Sequence, residues 1–267
     1  EVHARGLADD LIVRLRREGA DAADVLVVSG ASLSASVRLG EVEDVERSEA
    51  QDLGLRAFVG KRQAIVSSSD LGPRACDEMV ERVIAMVRLA PEDPYCGLAE
   101  PELLSRQFPS LDVCDDTRPA IPALIDAAKQ AEAAARAVDG ITNSEGAGAS
   151  SSHSRMVLVT SHGFAGSYGA SSFSLSCSML AGSGTAMQRD YEYSSARHYT
   201  DLAAPAVIGQ QAAGRAVARL NPRKVKTAQL PVVFAPRVSN SLLGHLAGAI
   251  SGVAVARGTS FLKHRLG

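Results

Sequence analysis

The chain has 267 residues, of which 46% are hydrophobic and 22% are charged. Such a composition excludes an intrinsically disordered chain and supplies enough apolar side chains for one large core or for two to three modest ones. Lys and Arg number 28 against 30 Asp and Glu, a net charge of −2, so direct binding to nucleic acid or to an anionic membrane is not expected.

The cysteines and the apolar segments indicate a cytoplasmic protein. Cys76, Cys96, Cys114 and Cys177 form no C-x-x-C pair and no dense framework of the kind that small secreted domains need, so we expect reduced thiols. The first residues lack the apolar core of a signal peptide. The longest apolar run, 242–256, is too short and too interrupted by Gly, Ser and His to span a bilayer.

Residues 1–115 predict a first α+β unit. Leu7, Leu11 and Leu15 share a helical face, and Gly19 ends that helix. Alternating apolar and polar residues predict an antiparallel meander. Its strands are expected at 23–28, 33–39, 42–46, 53–59 and 64–67. Apolar residues then recur at helical spacing from Cys76 to Val87, so a second helix closes the unit against the sheet.

A segment rich in proline separates this unit from a second one. Five prolines between residues 90 and 119 disfavour regular structure and predict a surface linker. In residues 116–226 we expect helices at 121–138 and 205–220, with strands between them at 141–150, 156–160, 173–179 and 187–193. Both units have the order helix, antiparallel strands, helix, which suggests a cryptic duplication of α+β units.

Residues 227–267 predict the beginning of a C-terminal domain. An apolar segment at 230–234 is typical of a buried strand, and the small residues of 238–256 predict a buried helix with close backbone packing at Gly244, Gly248 and Gly252. The sequence lacks an initiator Met and stops directly after a further apolar segment. We therefore expect a domain that is truncated in this chain.

Two patterns are candidates for a functional site. Arg189, Tyr191 and Tyr193 alternate along a predicted strand and could line a groove for an extended peptide or a partner subunit; the alternative is a strand that packs its tyrosines on a helix. A metal cluster of His153 and His162 with Asp190 or Glu192 is disfavoured, because no spacing brings these side chains together. No G-x-S-x-G elbow is present.

Several short motifs, in this order, resemble the TldD/PmbA family, peptidases that were formerly called modulators of DNA gyrase. They are distributed over nearly the whole chain, and three of them are the most distinctive. These are Arg38-Leu39-Gly40-Glu41-Val42-Glu43, Asn143-Ser144-Glu145-Gly146 and Met187-Gln188-Arg189-Asp190-Tyr191. The resemblance implies a connection with the hydrolysis of unfolded or small peptides.

The resemblance also implies that this chain lacks the zinc motif of its catalytic relatives. The TldD class of the family carries H-E-x-x-x-H on a helix, and Gly244, His245 and Ala249 stand where its His, Glu and His would stand. A lone His cannot hold a catalytic metal, which needs several donors from the protein. The chain is therefore most similar to the PmbA class, also called TldE, whose members are partner subunits of a TldD metallopeptidase.

From this resemblance we expect a cytoplasmic, non-catalytic subunit of a TldD/PmbA-type metallopeptidase system. No cofactor is expected in this chain, and zinc is expected in a TldD-like partner. Two alternatives stay open. The chain could belong to a self-sufficient metallopeptidase whose ligands lie in a missing C-terminal portion, or it could be a homodimeric regulatory or binding module.

Overall fold

A computed structural model describes residues 2–105 and 107–265 of the chain. The chain divides into two compact units, Glu1–Pro222 and Arg223–Gly267. The predicted truncation at the end of the chain concerns residues 266 and 267, which lie outside the described residues.

The first compact unit combines helices with antiparallel strands, which confirms the predicted α+β class. Its first half contains α1 (Val2–Arg17), β1 (Ala22–Arg38), β2 (Glu41–Val59), β3 (Arg62–Ser68) and α2 (Pro73–Leu89). Its second half contains α3 (Ile121–Arg136), β4 (Ile141–Thr160), β5 (Ala165–Ala181), β6 (Gln188–Ala196) and α4 (Pro205–Ala218). The order of helices and strands along the chain is the predicted one.

Three strands each join two of the predicted strands, and β5 begins at Ala165 rather than at Phe173. β1, β2 and β4 each run without interruption through stretches that we predicted as two separate strands with a polar gap. In β1 and β4 those gaps are rich in Ser, yet they stay paired with each other residue by residue, as at Gly30↔Ser154 and Ser32↔Ser152. Backbone pairing continues there because it does not require apolar side chains.

All six strands form one antiparallel sheet in the order β3-β2-β1-β4-β5-β6. The two halves meet at the β1–β4 pair, where Val25 lies opposite Val159 and Ala35 lies opposite Ala149. The stretches on either side of the predicted boundary at residue 115 therefore share a single sheet. Their common origin by duplication stays a prediction.

The four helices of this unit cover the same face of the sheet. Val25 and Val27 of β1 pack into a core with α1 and α2, whereas Ala35 and Val37 pack into a second core with α3 and α4. Alternate residues of a strand point to the same face, so both helix pairs lie on the odd-numbered side of β1. The even-numbered side, which includes Ser32 and Ser34, carries no described helix.

The proline-rich segment between the halves is irregular, as predicted, but several contacts fix it to the sheet. The Phe108 ring meets the Phe164 ring edge to face, with centroids 5.6 Å apart. The backbone amide of Ser171 donates to the Val113 carbonyl at 3.0 Å, and the Ser171 hydroxyl accepts from the Asp115 amide at 2.7 Å. This linker is therefore part of the folded unit.

The second compact unit contains α5 (Pro236–Ala249) and the short α6 (Gly252–Ala256). The strand predicted at 230–234 is wrong: this segment is irregular and exposed, and Val233 is 93% exposed. A strand needs a hydrogen-bonded neighbour, and none of the described strands pairs with this segment. The prediction of one buried helix over 238–256 is also wrong, because the helix is interrupted at Ile250 and Ser251 and almost all of its residues are exposed.

No helix among the described residues is both long enough and apolar enough to cross a membrane.

Candidate functional site

Helix α5 carries the positions at which the zinc motif of the TldD class would lie. Gly244 and His245 are exposed, and Ala249 is the one buried residue of the helix. A Cβ added to Gly244 or Gly248 would have no atom within 4 Å. These glycines therefore leave open space along α5, and close backbone packing at a domain or subunit contact stays a prediction.

The side chains of α5 do not supply a zinc ligand set. At the three motif positions, the imidazole of His245 is the one side chain with a donor atom. Within residues 2–105 and 107–265, no group of three or more His, Cys, Asp or Glu side chains lies close enough to hold a metal ion. Among the same residues, His153 and His162 form no such group with Asp190 or Glu192. Because zinc requires three or four protein donors, these residues do not fit the metal of the TldD class.

The structure places Arg189, Tyr191 and Tyr193 in a row on one exposed face of the edge strand β6. The Tyr191 and Tyr193 rings are stacked, with centroids 6.4 Å apart, and the Arg189 guanidinium lies over the Tyr191 ring at 5.9 Å. We call these three residues the β6 row. The tyrosines are exposed and do not pack on a helix, so the alternative prediction is wrong.

Two buried carboxylates on the opposite face of β6 hold the strand against α4. Asp190 accepts a hydrogen bond from Arg219 at 3.0 Å, and Glu192 forms an ion pair with Arg215. Both carboxylates are nearly inaccessible to solvent. Since buried carboxylates need charged or hydrogen-bonding partners, these pairs determine which face of β6 turns to the helix and leave the β6 row on the outside.

An ion pair also orients the first residue of the β6 row. Arg189 donates to the Glu145 carboxylate on β4, which in addition accepts from the Ser178 hydroxyl at 2.9 Å. The hydrogen bond from Arg189 is the main cause that lowers the pKa of Glu145 below its ordinary value. The guanidinium is therefore held beside the Tyr191 ring by a fixed carboxylate, and it still faces solvent.

The β6 row borders a surface of small hydroxyl side chains on the face of the sheet opposite helices α1 to α4. Tyr191 lies opposite Ser178 and Tyr193 lies opposite Ser176. Further serines continue across β4 and β1 on the same face. They are Ser150, Ser152, Ser154, Ser32, Ser34 and Ser36. The alternation of serine with apolar residues is visible in the sequence, but the sequence does not indicate which face remains uncovered.

A polar cleft on the helix-bearing face was missed by the sequence analysis. It lies over the middle of the sheet, has a volume of about 450 Å³, and is lined in part by Glu49, Arg118, His153 and Arg155. The imidazole of His153 contacts the Asp115 carbonyl at 3.0 Å through Nε2. Burial, together with the nearby charge of Arg118, lowers the pKa of His153 below its usual value. His153 is therefore neutral at pH 7, and its contact with the carbonyl requires a proton on Nε2.

Three family models match successive parts of the chain. The PmbA/TldA metallopeptidase domain 1 matches residues 23–87, the central domain matches residues 115–220 and the C-terminal domain matches residues 227–267. All six strands of the sheet lie largely or wholly within these matches.

Curated relatives and solved structures carry the same family names. The chain is 38% identical over 248 residues to the metalloprotease PmbA of Escherichia coli O157:H7, covering 92% of this chain and 55% of that protein. It is 36% identical over 256 residues to a PmbA homologue of Haemophilus influenzae, covering 96% of this chain and 57% of the relative. The chain thus spans about half the length of these curated relatives.

Two crystal structures share the fold. A protein described as a modulator of DNA gyrase from Bacteroides thetaiotaomicron matches with a TM-score of 0.89 and 25% identity, over 97% of this chain and 59% of that chain. TldE from Thermococcus kodakarensis matches with a TM-score of 0.76 and 19% identity, over 95% of this chain and 57% of that chain. With matches to all three successive domains of one family, the chain belongs to the PmbA/TldD metallopeptidase family.

Proposed function

We propose that this chain is the PmbA/TldE-like, non-catalytic subunit of a cytoplasmic TldD/PmbA-type metallopeptidase system that degrades or processes unfolded or small peptides. In this proposal the zinc ion belongs to a TldD-like partner chain. The chain described here contributes no catalytic side chain and no metal ligand.

The observation that carries the proposal is the composition of helix α5 at its motif positions. Gly244 and Ala249 have no donor atom, and His245 stands where the general-base Glu of the motif is expected. A single imidazole holds zinc weakly, since the affinity of a catalytic site comes from three protein ligands in a fixed geometry. Without the ion there is no Lewis acid and no lowered pKa of a bound water at this helix.

The β6 row supports a role in contacts with a peptide or a partner chain. Two stacked tyrosines and an arginine form an exposed surface, and Tyr and Arg are among the residue types that contribute most at protein interfaces. The strand is also an edge strand of the sheet, to which an extended peptide could add. We propose that the β6 row lines the peptide groove or the contact with the TldD-like subunit.

The absence of a zinc site is tested by isothermal titration of the purified chain with Zn²⁺ at neutral pH. We expect no stoichiometric binding of submicromolar affinity, and no change on His245→Ala. A matched positive control is the variant Ser241→His/Gly244→His, which adds two imidazoles at exposed positions on the same side of the helix as His245 and should bind zinc more tightly than the wild type. Tight binding by the wild type that is lost in His245→Ala would refute the proposal.

The pairing is tested by co-expression with a TldD-like chain and size-exclusion chromatography. We expect a complex that contains both chains, and we expect Tyr191→Ser/Tyr193→Ser to weaken it if the β6 row is in the interface. Tyr168→Ser, an exposed tyrosine on β5, is the control. Repeated failure to recover any complex would count against the pairing.

The two alternatives give different results in the same preparations. A self-sufficient peptidase, with its ligands outside these residues, would cleave unfolded peptide without a partner in an assay of the whole protein, and a chelator would stop it. A homodimeric regulatory module would show a dimer mass by light scattering and no peptide cleavage with or without a TldD-like chain.

A further inference from the structure

Strand β2 extends far beyond its outer neighbour. β2 covers Glu41–Val59, whereas β3 pairs only with the part from Leu53 to Val59. The remaining segment, 41–52, is paired with β1 on one side and with no described strand on the other. Every second residue of such a segment directs its backbone N–H and C=O away from β1, so a row of donors and acceptors lies open along this edge.

This edge is regular and accessible over most of its length. All twelve residues from 41 to 52 are exposed. At one end of the segment, Glu49, Ala50 and Gln51 line the polar cleft together with Cys114 and Arg118 of the linker. The pairing with β1 is continuous except for one irregularity beside Ser36 and Val37, close to the hairpin. The segment also contains no proline. Prolines and central bulges are two of the features by which proteins block open edges, and both are missing here.

The charge of the segment is strongly negative. It contains six carboxylates and one basic residue, Arg47. The carboxylates are Glu41, Glu43, Asp44, Glu46, Glu49 and Asp52. Arg47 forms an ion pair with Glu49. The guanidinium of Arg38, on β1, lies 3.8 Å from the carboxylate of Glu43. Within the described part of the chain, Glu41, Asp44, Glu46 and Asp52 form no ion pair, which leaves an excess of negative charge along the open backbone.

The charge pattern restricts what can pair with this edge. Two copies of the segment placed side by side would set carboxylates opposite carboxylates, and like charges directly across two strands are destabilising. An extended segment with Lys or Arg at alternate positions would instead place ammonium or guanidinium groups opposite the carboxylates of one face. The backbone supplies affinity without sequence preference, and the charge supplies selectivity.

We propose that residues 41–52, hereafter the acidic edge, bind an extended Lys- and Arg-rich polypeptide segment as an added β-strand. The proposal rests on β2 alone and does not depend on the proposed absence of zinc or on the β6 row. It names a second contact surface on this chain, on the opposite edge of the sheet from β6.

The test uses the whole chain and a synthetic peptide of about twelve residues, the length of the acidic edge, with alternating Lys and Thr. A peptide with Glu in place of Lys is the control for charge. Binding is followed by fluorescence anisotropy at low and at physiological ionic strength. Backbone hydrogen exchange of residues 41–52, measured with and without peptide, shows whether a strand has been added.

We expect the Lys peptide to bind and to slow exchange at alternate residues of the acidic edge, and the Glu peptide to do neither. The variant Asp44→Lys/Glu46→Lys should weaken binding by about tenfold or more. Its matched control is Glu81→Lys/Glu102→Lys, which changes the net charge equally at exposed positions outside the acidic edge and should leave binding nearly unchanged.

Three results would overturn the proposal. The first is no binding of the Lys peptide at low ionic strength. The second is binding without slower exchange in residues 41–52, because that is diffuse attraction and not strand addition. The third is a dimer of the chain whose interface protects the same amides in the absence of peptide, since the edge would then pair with a second copy.

Discussion

The buried carboxylate of Glu132 on α3 accepts a hydrogen bond from the backbone amide of Gly40, at 2.8 Å, in the hairpin between β1 and β2. Its second oxygen accepts from the amide of Leu39, also at 2.8 Å. Both turn residues have a positive φ, 54° for Leu39 and 88° for Gly40, as is typical of a two-residue hairpin turn. Ser144 of β4 donates to the same carboxylate. One side chain therefore links a helix, a turn and a central strand.

The first prediction concerns Glu132. We expect Glu132→Gln to lower the free energy of unfolding by about 2 kcal/mol, because the amide group can accept at one position only and its NH₂ faces other donors. Asp126→Asn, an exposed carboxylate on the same helix, should change it by less than about 0.5 kcal/mol. Urea unfolding followed by circular dichroism measures both. Equal stability of the two variants would mean that other contacts hold the turn.

The second prediction concerns the contact between α3 and α4. A Cβ on Gly209 would lie 2.0 Å from the Ala131 carbonyl oxygen, so the backbones of the two helices touch at this glycine. We expect Gly209→Ala to cost about 3 kcal/mol through displacement of the helices. Gly214→Ala, on the same helix, meets no atom within 4 Å and should stabilise the protein by about 0.5–1 kcal/mol. Thermal unfolding of both variants gives the comparison, and a loss of stability in both would contradict it.

The third prediction concerns His198, which contacts the linker segment at Asp112. The Asp112 carbonyl, followed by the charge of its carboxylate 3.1 Å away, raises the pKa of His198 above 6.5. We expect an NMR titration to show this raised pKa, and Asp112→Asn to lower it part of the way, because the carbonyl remains. A wild-type pKa at or below 6.5 would contradict the contact.

The same pair makes the attachment of the linker dependent on pH. Because the folded pKa of His198 exceeds the unfolded value of 6.5, its stabilisation is complete below pH 6.5 and is lost as the pH rises through the folded value.

The pH dependence that Asp115 contributes to stability has the opposite sign. Its pKa is lowered to about 2, first by the Tyr199 amide, so its stabilisation is present above pH 3.8 and is lost as the pH falls toward 2. Proteolysis of the linker at several pH values would detect both.

The fourth prediction concerns the thiols. Cys114 is exposed, whereas Cys76, Cys96 and Cys177 are buried, and burial raises the pKa of Cys177 to about 12. We expect one fast-reacting thiol in the native protein when a maleimide reagent is added at neutral pH, and mass spectrometry should assign it to Cys114. All four should react in denaturant. Fast native labelling of Cys177 would contradict the described core.

The two halves of the sheet show where sequence patterns are sufficient and where they are not. Alternation in β1 and helical spacing from Cys76 to Val87 correctly predicted local structure, because each pattern records which side of one element is apolar. The same patterns did not reveal that β1 and β4 pair across more than a hundred residues of chain, because the pairing partner of a strand is not encoded in its own periodicity. The predicted strand at 230–234 was wrong for a related reason, since an apolar composition does not mean that a neighbouring strand is present to pair with it.

For the candidate sites, too, the sequence determined some features and the tertiary structure determined others. The sequence by itself determined that Gly244, His245 and Ala249 cannot supply a zinc ligand set, because ligand chemistry depends on which atoms a side chain has. Only the tertiary structure decided that the β6 row faces solvent, since the buried pairs of Asp190 and Glu192 with arginines of α4 set the orientation of the strand. It likewise decided that the acidic edge is open, because β3 ends before it reaches that part of β2. The donor atoms of a side chain are known from the sequence, whereas the exposure of that side chain depends on which other parts of the chain cover it.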